Sequence, residues 1–181
     1  MLRPVDVIVG LRLSDDVRGS VSSWTYPQLA SELGMSPSVV HGALRRLREG
    51  RIWLAGDRVI DRPRLTLFLV HGLPVMAPAA LGEETRGVLA AWAAEPLSSE
   101  FNVEDVPPVW PDPRGKARGR ALQPLHRGAI EAARHSPALA RRLALVDTLR
   151  LGGGARLERR AAELLAGELR VPDVAGHIGA P

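Results

Sequence analysis

Apolar residues recur at helical spacing along most of this chain, interrupted by glycine, proline and short charged runs. Between Pro4 and Leu13, the positions Val5, Ile8, Val9 and Leu11 predict an opening helix. The stretch Tyr26 to Gly50, YPQLASELGMSPSVVHGALRRLREG, predicts two more helices around a tight turn. Ala30 is small enough for a second helix to cross it. Gly34 suits a turn that demands positive φ, and Val40, six residues beyond that glycine, gives the second helix an apolar anchor. Leu29, Leu33 and Met35 complete the apolar contacts. Thr25 is the expected cap of the first helix, Ser36 and Pro37 the cap and first turn of the second, and Gly50 its end. On that second helix Val40, Ala43, Leu44 and Leu47 follow the i, i+3, i+4, i+7 spacing of a buried stripe.

Arg51 to Leu54 and Arg58 to Ile60 read as two short strands around Ala55-Gly56-Asp57, a hairpin turn signal. Asp61 is placed to cap another helix, with Leu65, Phe68, Leu69 and Gly72 at helical spacing. The alternation in LTLFLV also permits a strand there. Farther on, Pro96, Pro107, Pro108, Pro111 and Pro113 predict irregular backbone. Ser136-Pro137 predicts the cap and first turn of a helix through Leu151, with Leu139, Leu143, Val146 and Leu149 on one face. Gly152 to Gly154 break it, and Leu157, Ala161, Leu164, Leu165 and Leu169 form a second stripe. The triple glycine lacks the lysine, the serine and the preceding strand of a phosphate loop, so a helical hairpin turn is the favoured reading. The two stripes need cover, from the first third of the chain or from a second subunit.

Composition narrows the function classes. The 181 residues are 45% apolar and 24% charged, ordinary for a globular chain. Without cysteine, disulfides, thiolate metal sites and a cysteine nucleophile are excluded. The opening residues lack the apolar core of a signal peptide, and no apolar run is long enough for a membrane span, which predicts a cytoplasmic protein with no membrane partner. Net charge is +4 and the estimated pI is 10.8, favouring a polyanionic partner. Lys116 is the single lysine among 24 basic residues, an arginine bias that a GC-rich genome also produces. Position therefore says more than total. Glu95, Glu100, Glu104, Asp105 and Asp112 carry only negative charge from 95 to 112. Arg114, Lys116, Arg118 and Arg120 then carry only positive charge. That run reads either as a phosphate-tracking arm or as a loop paired with those acids.

The outward face of the second helix in the Tyr26–Gly50 pair presents Ser36, Ser38, His41, Gly42, Arg45, Arg46 and Arg48. Serine and histidine donate or accept at base edges, glycine permits close approach, and arginine reaches guanine or phosphate. With Thr25 at the start of the pair and Arg58 on the hairpin, these are the candidate DNA contacts. His41 has no partner at metal-ligand spacing in His71 or His126, so no metal site is expected. Asp147, Glu158 and Glu163 lie near one another in sequence. Nucleophile elbow, metal cluster and phosphate loop are all missing, so neither catalysis nor a cofactor is expected.

The segment WTYPQLASELGMSPSVVHGALRRLREGRI resembles the helix-turn-helix of MarR-like and related bacterial winged-helix regulators. The order of LTLFLVHG, TRG, VWPDPRGKARGRALQPLH and ALVDTLRLGGGARLERRAAELL is similar to that of a family of bacterial winged-helix proteins, over most of residues 5 to 170. HGLPVMAPA departs from it in being less aromatic. The expected fold is mainly α with a small β-hairpin wing: a winged helix-turn-helix over 1–74, a proline-rich acidic-then-basic connection over 75–121, a helical region over 122–171 and a flexible tail over 172–181. The expected function is sequence-specific binding of double-stranded DNA as a transcriptional regulator, in a homodimer held partly by the C-terminal helices. The alternative is an antitoxin-like or complex-assembly protein that binds a protein partner through its winged helix and C-terminal helices.

Overall fold

Capping and turn chemistry set the first elements. The computed structural model describes residues 1–16, 24–56, 58–101 and 106–170; it is mainly helical, with one two-stranded and one three-stranded sheet. Helix α1 spans Pro4–Leu13, α2 Tyr26–Glu32 and α3 Pro37–Glu49. The Thr25 hydroxyl accepts from the Gln28 amide at 3.4 Å, and the Gln28 side chain accepts from the Thr25 amide at 2.8 Å, a reciprocal capping box. Gly34, at φ +61°, turns the chain out of α2. The amides of Met35 and Gly34 reach back to the carbonyls of Ala30 and Ser31 at 2.8 and 3.2 Å, the paired bonds of a Schellman turn.

One local expectation is corrected at α3. Ser36 does not cap it through its side chain: its hydroxyl lies 3.0 Å from that of Ser38. Gly50 ends the helix as expected, at φ −75°, and the left-handed conformation falls on Arg51 at φ +55°. Ile52 and Arg51 then donate to the carbonyls of Leu47 and Arg48 at 2.8 and 2.9 Å, a second Schellman turn built on a non-glycine residue.

Strands β1 (Trp53–Leu54) and β2 (Val59–Ile60) pair antiparallel, Trp53 opposite Ile60, in a hairpin shorter than expected; Asp57 lies outside the described residues. Asp61 caps α4 (Arg62–Leu67) by accepting from the Arg64 amide at 2.9 Å. The helix runs on through a π-helical turn, Phe68–Gly72, into α5 (Leu73–Met76). LTLFLV is therefore helical, and Leu65, Leu69 and Leu73, four apart, face the core.

The connecting region departs most from expectation. Strands β3 (Leu81–Leu89), β4 (Pro108–Pro111) and β5 (Ala117–Leu122) close on one another, β3 antiparallel to both and β4 parallel to β5. Proline is tolerated at the ends of β4, where the missing N–H costs no ladder bond and the Pro108 carbonyl still accepts from Ala90 at 3.0 Å. Three strands can approach this closely because glycine stands where they touch. A Cβ on Gly87 would overlap the Trp110 carbonyl, and one on Gly119 would overlap that of Pro107.

Helices α6 (Ala129–His135), α7 (Pro137–Leu151) and α8 (Ala155–Leu169) follow. Ser136 caps α7 at the Leu139 amide, 3.2 Å, and Gly152, at φ +67°, ends it. Every residue from Arg142 to Arg150 is buried, so α7 is a central helix and not one with a single apolar face. It packs on α1, α5, α6 and α8, which covers its leucines within the chain. Its polar groups serve as struts. Arg142 donates to the Leu11 carbonyl at 3.2 Å and to Asp15 at 2.6 Å. Asp147 accepts from the Trp110 indole at 2.7 Å and from Arg150 at 2.5 Å, and Arg150 reaches the Ala77 carbonyl at 2.9 Å. One hydrophobic core runs from α1 to α8. The expected tail, 172–181, lies outside the described residues.

Candidate nucleic-acid interface

The burial of α3 divides its residues sharply. Val40, Ala43, Leu44 and Leu47 are at most 1% exposed, and they fix the helix against α1 and α2. Ser36, Ser38, His41, Arg45 and Arg48 stand exposed on the opposite side. The Arg45 side chain is 69% exposed and lies 3.8 Å from Glu49, a loose pair in high dielectric worth about 0–1 kcal/mol. Arg48 has no ion-pair partner among the described residues. His41 packs on Tyr26, ring centroids 5.6 Å apart, which orients its ring from below.

Arg46 does not belong to this face. Its guanidinium makes a two-pronged contact with Asp6 of α1, Nη2 to Oδ1 at 2.7 Å and Nε to Oδ2 at 2.9 Å. Asp6 is fully buried and the Arg46 side chain is 12% exposed. That hydrogen bond holds the arginine's pKa above its ordinary value. Charge-assisted, bidentate and desolvated, the pair ties α3 to α1. Gly42 serves it, since a Cβ there would meet the Arg46 guanidinium at 3.2 Å.

Arg58 of the hairpin takes φ +53° and lies over the Trp24 ring, 4.5 Å from its centroid, while donating to the Trp24 carbonyl at 3.1 Å. Trp24 meets Tyr26 edge-on at 6.0 Å, so Arg58, Trp24, Tyr26 and His41 form a row from the hairpin to α3. Trp24 and Tyr26 were not among the expected site residues. The signal for them was their position flanking the Thr25 cap. Thr25 is exposed, and its hydroxyl accepts from the Gln28 amide as the cap of α2.

The basic run is an ordered strand and its approach, not a loose arm. Arg114 pairs with Glu131 at 3.3 Å and lies 3.8 Å from Asp112, whose other oxygen binds Arg134. Arg134, which also donates to Glu131 at 2.9 Å, is the foremost of the partners, with His135 and Arg114, that hold the Glu131 carboxyl below its ordinary pKa. Lys116 and Arg118 are exposed and have no acidic partner among the described residues. Arg120 donates to the carbonyls of Gly82 and Leu81 at 3.2 and 2.9 Å. Of the acids expected to neutralise the run, Asp112 is the one that does so among the described residues, and there only toward Arg114. Glu100 pairs with Arg160 at 2.6 Å, and Glu104 and Asp105 lie outside the described residues.

A cavity of about 540 Å3 opens between β3, β4, α6 and α7. Its walls are apolar and its charged rim is already committed: Glu95 to Ser98, Arg134 to Asp112 and Glu131, Arg141 to Glu168. Asp147 is buried at 1% exposure and bound to Arg150, away from solvent. No helix among the described residues is long and apolar enough to cross a membrane. The chain matches no family model, no curated protein and no solved structure.

Proposed function

We propose that the chain is a sequence-specific binder of double-stranded DNA, acting as a transcriptional regulator through a winged helix-turn-helix made of α1 to α3 and the β1–β2 hairpin. One observation carries the reading. The outer face of α3 is exposed and bears Ser38, His41, Arg45 and Arg48, while its inner face is locked into the core. An exposed helix face of hydroxyls, imidazole and guanidinium suits a major groove, where arginine reads guanine and smaller polar groups read neighbouring bases. The turn at Gly34 and the hairpin directly after α3 match the order of such a domain. In this reading Arg58, which lies over Trp24, meets a backbone phosphate from the wing. Selection of bound duplexes from a random pool tests the reading: an enriched motif supports it, and no enrichment overturns it.

A second reading, a protein-binding module, is favoured by Leu67 and Val75, which are 63% and 82% exposed on the α4–α5 segment. Exposed apolar side chains of this kind are what a protein partner would cover. A salt-sensitive, sequence-selective gel shift separates the two readings.

A further inference from the structure

In the antiparallel register of β3 and β5, Arg86 stands directly opposite Arg118, and Glu84 opposite Arg120. Residues opposite one another share a face of the ribbon, and alternation puts all four on the same one. Like charges directly opposite oppose pairing of the strands. Neither Arg86 nor Arg118 has an acidic partner among the described residues, and both are exposed, as is Lys116 just before β5. Among the described residues of β3 and β5, Glu84 is the one acid on that face; Asp112, opposite Arg86 just past the end of β4, is paired with Arg134 and lies near Arg114. The sheet thus carries an uncompensated cationic ridge that its own stability does not call for.

The ridge begins beside the α2–α3 turn. Arg114 is bonded to Glu131 at 3.3 Å, and a Cβ on Gly34 would touch the Glu131 Cβ at 3.8 Å. A Cβ on Gly128, one residue before α6, would run into the Leu33 carbonyl at 2.7 Å, so α6 is seated tightly against that turn. The start of the ridge is therefore pinned to the turn that leads into α3.

We propose that Arg86, Lys116 and Arg118 form a second phosphate-binding surface that follows the DNA backbone beyond the segment read by α3. The inference rests on the DNA-binding reading above and extends its footprint from the winged helix onto the three-stranded sheet. This surface carries affinity without sequence information, because it meets phosphates and not base edges. Arg120, held by two carbonyls, stiffens the adjoining strand.

The test uses the full chain and a labelled mixed-sequence DNA duplex, with affinity measured from about 50 to 200 mM salt. Replacing Arg86, Lys116 and Arg118 together by alanine lowers the slope of log affinity against log salt by about 0.9 for each phosphate no longer neutralised, thus by about 2–3. Arg118→Glu provides a second arm that does not depend on the triple variant folding. It sets an acid opposite Arg86, so thermal stability holds or rises while duplex affinity falls. An unchanged salt slope, or affinity that tracks stability in Arg118→Glu, overturns the sheet surface. If the slope changes for a single-stranded RNA of equal length but not for the duplex, the proposal is overturned as well. Failure of the DNA-binding reading itself has its own signature: the unsubstituted chain then binds no duplex at any salt, whereas failure of the sheet surface alone leaves that binding intact.

Discussion

Arg46 and Arg45 are neighbours in an RRLR run, yet the fold gives them opposite tasks. Arg45 points to solvent; Arg46 turns back to a fully buried Asp6. Removing one member of a buried ion pair strands the other, at a cost of about 3–5 kcal/mol. Arg46→Ala should therefore destabilise the chain by about 3 kcal/mol in a denaturant titration, the lower end because the Arg3 amide still bonds Asp6 at 2.8 Å. The DNA motif preferred by the surviving folded fraction should not change. A changed motif with intact stability would return Arg46 to the outer face. A periodic pattern cannot separate the two arginines, since Arg46 sits at the border of the buried stripe, where a long side chain can turn either way. The legible clue was Asp6, an acid inside the apolar stretch PVDVIV, which a core accepts only with a cation beside it. Its partner is 40 residues away and had no local mark.

At the scale of elements, those with local stop and start chemistry could be read directly. Pro4–Leu13, the Thr25 and Asp61 caps and the helix Pro137–Leu151 carry their signals within a few residues. The three-stranded sheet carries none. In LGEETRGVL only Gly87 is fully buried, and β4 is bounded by prolines, so neither alternation nor β-propensity marks them. Its strands are specified by glycines that admit a neighbouring backbone, a long-range requirement. The end of α3 gives a sharper test. Arg51 occupies a left-handed conformation that costs a side-chain-bearing residue about 1–2 kcal/mol relative to glycine, less glycine's greater unfolded-chain entropy. Arg51→Gly should raise stability by about 0.5–1 kcal/mol, read as a higher denaturation midpoint at unchanged slope. A lower midpoint would show that the Arg51 side chain supplies interactions outweighing that strain.

For the whole molecule, α7 decides the architecture. Its leucines read as a stripe needing cover from the first third of the chain or from a second subunit, and α1, α5, α6 and α8 bury them within one chain. It also binds the first third to the last. Arg142 of α7 donates to the Leu11 carbonyl and to Asp15, and Leu143, Val146 and α1 residues share one core. A fragment of residues 1–113 lacks β5 and all of α6 to α8, and should show no cooperative thermal transition. A sharp transition in that fragment, near that of the full chain, would mean that the N-terminal helices have a self-sufficient core.

The central claim is that the exposed face of α3 reads base sequence. The most direct test is selection of bound duplexes from a random pool by the unsubstituted chain and by His41→Ala and Arg45→Ala, both exposed and outside the core. The account predicts one enriched motif. Each substitution should relax or change particular positions within it, at about 1–3 kcal/mol where a bidentate base pairing is removed. Recovery of no motif, or of the same motif with uniformly weaker binding in both variants, would contradict it.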